Sequence, residues 1–210
     1  MSLKNLISFD EIASGNPNFF DIDYHPDWKG LFQNDLPIEL EVGFGCGSFL
    51  IDVAIQNPNI NFIGMDFYHK GIRKTISRIG RLQLKNVRIV YGDAREKIPG
   101  VFQDEELSSV YINFPDPWPK KRHIKRRLIK PPFVSMLAAR LKKGEVLHAA
   151  TDSELYAQEM LEYFEGEPQL VNSVGPRNFK ESRNGTPQTK YERNFIKRGK
   201  RIFYMEFRKQ

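Results

Sequence analysis

The sequence predicts an α/β protein with a doubly wound, mostly parallel sheet of seven strands, helices on both faces and the last strand antiparallel. Three observations predict it. Short apolar runs of strand length alternate with segments of helical spacing along most of the 210 residues, and such alternation places parallel strands side by side with helices between them. The first strand runs into a glycine-rich turn, and acidic residues stand where the early strands end, which is where open α/β sheets bind ligands. The chain closes on two strand-like runs joined by a polar loop, a β-rich ending.

Ile38 to Val42 is a short apolar run entering glycines, and Ser48 to Gln56 reads as the helix behind it. Asn61 to Met65 is the second buried run. Tyr68 to Leu84 carries Ile72, Ile76 and Ile79 at helical spacing, Val87 to Tyr91 is the third strand, and Ser109 to Ile112 the fourth. Phe133 to Leu141 reads as helix, Glu145 to Ala150 as the fifth strand, and Leu155 to Phe164 as a helix capped near Ser153. Gln169 to Val174 and Arg201 to Arg208 are the closing strands. Residues 1–36 form an acidic N-terminal arm, and residues 37–210 form one domain.

The composition, 40% hydrophobic and 12% aromatic, is that of an ordinary globular domain. A single cysteine, Cys46, excludes an internal disulfide and a cysteine-based metal cage, and points to a reducing compartment. No N-terminal apolar leader and no bilayer-long run is present, so the expected location is the cytoplasm, with no membrane and no metal. The net charge of +6 is unevenly spread. Residues 1–41 carry eight acids against Lys4 and Lys29, a net of −6, leaving +12 on the remainder. Clusters at Lys120 to Lys130 and at Lys190 to Lys209 would steer the body of the protein toward phosphates.

The first turn reads Glu41-Val-Gly-Phe-Gly-Cys-Gly47. Gly43, Gly45 and Gly47 let the backbone turn sharply and approach a ligand, while Asp66 at the end of the second strand can accept hydrogen bonds from two ribose hydroxyls. The pair fits an adenosine cofactor. The spacing G-x-G-x-G lacks the room for pyrophosphate that a dinucleotide fingerprint provides, and Glu41 repels phosphate while favouring the ammonium end of a methionine moiety. Asp93 follows the third strand, where an adenine amino group would lie.

The most specific stretch runs from Asn113 to Arg127, Asn-Phe-Pro-Asp-Pro-Trp-Pro-Lys-Lys-Arg-His-Ile-Lys-Arg-Arg. Pro115, Pro117 and Pro119 fix φ and remove donors, so Asp116 and Trp118 project from a loop with few alternative conformations. Seven of the eleven residues from Lys120 to Lys130 are basic. A charge run by itself is as often a solvated face as a binding site, but this one adjoins a strand end. Lys120 and Lys121 are placed to meet phosphate, and Arg122, Lys125, Arg126 and Arg127 to continue that track. Trp118 either stacks on a base or packs under the loop.

With the glycine turn, this proline-rich motif and the late Thr189-Lys-Tyr-Glu192, the chain resembles the bacterial tRNA guanine-N7 methyltransferase family, whose members have the Rossmann-like class I methyltransferase fold. The resemblance extends from about Trp28 to Arg208. It implies S-adenosylmethionine as cofactor and tRNA as partner, with methylation of a variable-loop guanosine. It also implies Glu41, Asp66, Asp93 and Asp116 as cofactor residues, and Lys120, Asp152, Thr189, Lys190, Tyr191 and Glu192 as substrate residues. Asp66 departs from the family, which generally carries Glu there, although the shorter carboxylate can still reach a ribose diol. Asp116 is the expected catalytic residue, contacting either the guanine edge or the cofactor near its methyl. Two other readings stay open, an exocyclic amino methyltransferase of nucleic acid and a tRNA-binding module without catalysis. Either a monomer or a homodimer fits.

Overall fold

A computed structural model describes residues 8–183 and 185–210. The chain divides into two units, one ending at Phe102 and the other beginning at Gln103.

The first unit contains α1 (Phe9–Ala13), β1 (Phe19–Phe20), α2 (Trp28–Phe32), β2 (Ile38–Val42), α3 (Ser48–Gln56), β3 (Asn61–Asp66), α4 (His69–Leu82), β4 (Val87–Tyr91) and α5 (Ala94–Val101). Its strands lie in the order β1-β4-β3-β2, all parallel. Leu40, Ile63, Val87, Ile89 and Val90 are fully buried, as expected for strands covered on both faces. On α4 the residues at helical spacing, Ile72, Ile76 and Ile79, form the buried stripe. That helix stops where Gln83 turns left-handed, with φ of 52°. The acidic arm is built into this unit: Phe19 and Phe20 pair with Ile89 and Val90. Trp28 stacks on Phe102 with ring centroids 5.8 Å apart, and its Nε1–H donates to the Val101 carbonyl at 3.3 Å.

The second unit contains β5 (Leu107–Asn113), a 3₁₀ segment (Lys121–Arg126), α6 (Pro131–Arg140), β6 (Leu141–Thr151), α7 (Glu154–Glu165), β7 (Leu170–Asn172), α8 (Lys190–Lys197) and β8 (Phe203–Lys209). Here β5 and β6 are parallel, and β8 lies between β6 and β7, antiparallel to both. The last strand is therefore the reversed one, as the sequence predicts.

Several elements correct the sequence reading. The described strands number eight rather than seven; the extra one, β1, is two residues long and too short to leave a periodic signal. Between β4 and β5 lies the helix α5, which contains Pro99, a residue that reads as a breaker. The polar stretch before β8 contains α8, begun at Thr189 by a Thr-x-x-Glu capping box, a signature that was readable in the sequence. Helix α6 also starts on Pro131, two residues ahead of Phe133, because proline is tolerated in a helix's first turn. Among the described residues no helix is long and apolar enough to cross a membrane.

Candidate active site

In the first unit the chain leaves β2 through Gly43, Gly45 and Gly47, with φ of 72°, 57° and 67°, values that L side chains adopt only under strain. The Gly43 N–H donates to the Met65 carbonyl at 2.8 Å, so the turn continues the pairing of β2 with β3. Gly47 is needed for packing, since a Cβ there would lie 2.2 Å from Thr75 Oγ1. Gly71 is needed for the same reason, because a Cβ on it would lie 1.9 Å from the Gly45 carbonyl oxygen. Gly43 and Gly45 are different: a Cβ on either meets nothing within 4 Å. Their outer side is an open cradle.

Asp66 forms the rim of this cradle. Its Oδ2 accepts the Gly45 N–H at 2.7 Å and its Oδ1 accepts the Tyr68 N–H at 2.9 Å, which ties the glycine turn to the entry of α4. Glu41 is only 3% exposed near the end of β2, a burial that favours a cationic partner for its carboxylate. Asp93 caps α5, its Oδ1 accepting the Arg95 N–H at 2.9 Å, and Arg95 also pairs with it through the guanidinium. The bonds from Arg95 hold the Asp93 carboxyl below the usual carboxylate range.

The same strand ends carry aromatic residues that the sequence reading passed over. Tyr91 is the register partner of Asp66, and its hydroxyl lies 3.0 Å from His69 Nε2. Phe9 of the arm stacks on the His69 ring at 3.8 Å, with the planes within 10°. Phe67, directly after Asp66, is 63% exposed. A contact between residues 9 and 69 leaves no local pattern, whereas an apolar side chain left in solvent beside an acid at a strand end is itself a signal.

In the second unit β5 delivers the proline loop. The Phe114 N–H still pairs with the Ala150 carbonyl at 2.8 Å. Phe114 and Trp118 then take left-handed φ values of 54° and 40°, strain that persists only where surrounding contacts over-determine it. Asp116 is exposed. So are Lys120, Lys121, Arg122, Lys125 and Arg126, which make the face of this segment toward solvent cationic. Trp118 is half-buried within this face, with His123 against its ring edge at 5.6 Å and the Arg126 guanidinium over the ring at 5.1 Å.

Arg127 departs from the expected phosphate track. It is 5% exposed; its Nε donates to the Pro117 carbonyl at 2.7 Å, and its guanidinium pairs with Glu159 of α7. Asp152 lies half-buried just past β6, where the next residue's N–H donates to Thr151 Oγ1 at 3.2 Å. The expected substrate segment divides in two. Lys190 and Tyr191 are exposed, whereas Thr189 and Glu192 are buried and bond each other's backbone N–H, both at 3.0 Å. Among the described residues no group of His, Cys, Asp and Glu could hold a metal ion.

A family model described as a putative methyltransferase matches residues 35–205. A tRNA (guanine-N(7)-)-methyltransferase of Cupriavidus necator is 43% identical over 185 residues, covering 88% of this chain and 70% of the relative. One of Burkholderia mallei is 41% identical, covering 88% and 69%.

The chain belongs to the tRNA (guanine-N7-)-methyltransferase family.

Solved structures agree at the level of fold. The 16S rRNA methyltransferase KamB superposes with a TM-score of 0.63 at 15% identity, over 89% of this chain and 95% of that one. An rRNA methylase from Streptococcus thermophilus gives 0.54 at 17% identity, over 83% and 87%. In this methyltransferase the first unit holds Glu41, the glycine turn, Asp66 and Asp93, and the second holds Asp116, Asp152, the cationic face and the start of α8. The open space beside Gly43 and Gly45, with the Asp66 carboxylate at its rim, fits the methionine-and-ribose portion of an adenosine cofactor.

Proposed function

We propose that this protein transfers a methyl group from S-adenosylmethionine to N7 of a guanosine in tRNA. The observation that carries the reading is the exposed, proline-bracketed Asp116, followed at once by the exposed cations Lys120 to Arg126. A carboxylate that can accept from a base edge thus adjoins a surface that can hold a phosphate backbone. The names of the relatives at 41% and 43% identity support the same substrate and atom.

Bound S-adenosylmethionine supplies a methyl group that is already electrophilic on its sulfonium. Guanine N7 carries an in-plane lone pair at neutral pH, so no residue has to remove a proton first. Alignment is the chain's main contribution. Glu41 faces the ammonium group, Asp66 the ribose hydroxyls and Asp93 the adenine. Asp116 accepts from the Watson–Crick edge of the guanine and orients N7; its exposure beside the RNA-facing cations favours this role over a cofactor contact. Lys120, Lys121, Arg122, Lys125 and Arg126 take phosphates, and Lys190, Tyr191 and Asp152 complete the substrate side.

Incubating the protein with methyl-labelled S-adenosylmethionine and unmodified bulk tRNA, then cleaving with borohydride and aniline, tests the reading. Strand scission at a variable-loop guanosine is expected, because that chemistry cuts at N7-methylguanosine. Label without scission would move the activity to an amino or ribose position, and absence of label would leave a binding protein.

A further inference from the structure

The buried half of the Thr189–Glu192 segment is connected to the proline loop through Arg183. The Arg183 Nη2 donates to Asn113 Oδ1 at 2.5 Å, and its Nε lies 3.5 Å from Glu192 Oε2. Asn113 is the last residue of β5, three positions before Asp116. Glu192 has no exposed surface. Its Oε1 accepts the Tyr204 hydroxyl at 2.8 Å and its Oε2 accepts the Thr189 N–H at 3.0 Å. The Arg183 guanidinium also sits over the Tyr204 ring at 5.8 Å. A parallel apolar contact runs alongside, with Phe195 of α8 packing on Phe114 at 5.8 Å between ring centroids. Both rest against Ala150, Ile202 and Tyr204.

We infer that Arg183 is a positioning residue, clamping Asn113 to Glu192 so that the docking of α8 sets the conformation of the loop that carries Asp116. The Glu192 carboxylate accepts from a tyrosine hydroxyl and a backbone N–H and faces the Arg183 guanidinium, so it anchors that guanidinium from the α8 side. The forked guanidinium suits this task, since its planar donors reach two acceptors with one rigid group. The loop also needs such a clamp. Phe114 and Trp118 hold left-handed backbone, and strained backbone relaxes when its supports are removed. Between Asn113 and Asp116 stand only Phe114 and Pro115, so a shift at Asn113 is passed on to the carboxylate with little slack.

The inference rests on the second unit carrying the reacting base, as proposed above, but not on which atom of the base receives the methyl. The test compares wild type with Arg183→Ala and Glu192→Gln, measuring total methyl label transferred to tRNA, KM for tRNA, and tRNA affinity without cofactor. Arg183→Ala is expected to lower kcat by about 100-fold, the scale of a misplaced reacting group, with KM for tRNA little changed. Glu192→Gln should lower kcat in the same sense. Free guanidinium ion, below denaturing concentrations, should restore part of the Arg183→Ala turnover, which a loss of general stability would not allow. Should Arg183→Ala fail to fold, Arg183→Lys carries the test, because an ammonium keeps the charge without the fork. Unchanged kcat, or a rise in KM for tRNA at constant kcat, overturns the clamp. Label on an atom other than N7 sinks only the proposed regiochemistry.

Discussion

The Arg127 side chain donates to the carbonyl of Pro117 at 2.7 Å, so the far end of the cationic segment is tied back to the loop that begins it. The same guanidinium pairs with Glu159 and covers the face of Tyr156 at 4.7 Å. Burial and proximity to Glu159 also push the Tyr156 hydroxyl up to about 12, keeping it protonated as it receives the Ile129 N–H at 3.1 Å. One arginine of a basic run therefore holds the run in shape, while its neighbours face outward.

That division predicts different outcomes for adjacent residues. Arg127→Ala should cost about 3 kcal/mol of stability, since it strips one partner from a buried pair, and should leave the salt dependence of RNA binding unchanged. Lys121→Ala and Arg122→Ala should each lower the slope of log K against log salt by roughly 0.7 to 0.9, the share of one phosphate contact, without moving Tm. Thermal melts and fluorescence titrations at several salt concentrations would check both.

The glycine turn should separate packing from ligand space. Gly47→Ala drives a Cβ to 2.2 Å from Thr75 Oγ1 and should lower Tm. Gly45→Ala meets nothing within 4 Å, so it should fold with about 1 kcal/mol of left-handed strain. It should nevertheless lose affinity for S-adenosylhomocysteine by about tenfold or more, roughly 1.4 kcal/mol. Calorimetric titration distinguishes the two; equal affinity of Gly45→Ala and wild type would place the cofactor elsewhere.

Asp66→Ala removes the acceptor for the Gly45 and Tyr68 N–H groups, which now bond at 2.7 and 2.9 Å. Affinity for the cofactor should fall by at least about tenfold, because the turn loses its anchor and the ribose the acceptor proposed for it. The affinity of the cofactor-free protein for tRNA should not change.

Asp116→Ala should lower turnover by about 100-fold or more, the scale of losing one preorganised electrostatic contact. Because the carboxylate is exposed, unfolding stability should stay within about 0.5 kcal/mol of wild type, as for most surface changes. Turnover near the wild-type value would remove Asp116 from the reaction.

Stability should fall on mild acidification because of His148. Its ring is stacked on Tyr111 with centroids 5.0 Å apart, and burial pulls its pKa from 6.5 to about 4. Glu206, 3.8 Å away, opposes that shift, while Arg183, Lys180 and Arg208 add to it. The unfolded chain then takes up a proton near pH 6.5 that the folded protein accepts only near pH 4. The stability contributed by the neutral ring is complete above pH 6.5 and is lost as pH falls toward 4. Between those limits the loss should be about 2 to 3 kcal/mol. Urea midpoints for wild type and His148→Asn should diverge at pH 7 and converge near pH 4.5.

Much of this protein is local and was therefore legible. The strands Ile38–Val42 and Val87–Tyr91 and the helix Ser48–Gln56 follow from apolar runs and spacing within a single element. The glycine turn and the proline loop follow from residues whose backbone preferences do not depend on their surroundings. The acids at strand ends are legible for the same reason, once the strands are placed. Tertiary structure alone decided which polar groups point outward. Arg126 and Arg127 are chemically alike and adjacent, yet only Arg127 finds Glu159 on α7 and turns inward. Glu192 is expected as a substrate residue from the resemblance, yet Arg183 and Tyr204 enclose it, and Phe9 reads as part of an arm until it meets His69. Each of these outcomes is set by a contact between groups distant in the chain, and a buried polar group among them must find its partner there because leaving it unpaired is costly; the local periodicity of a sequence contains no term for such contacts.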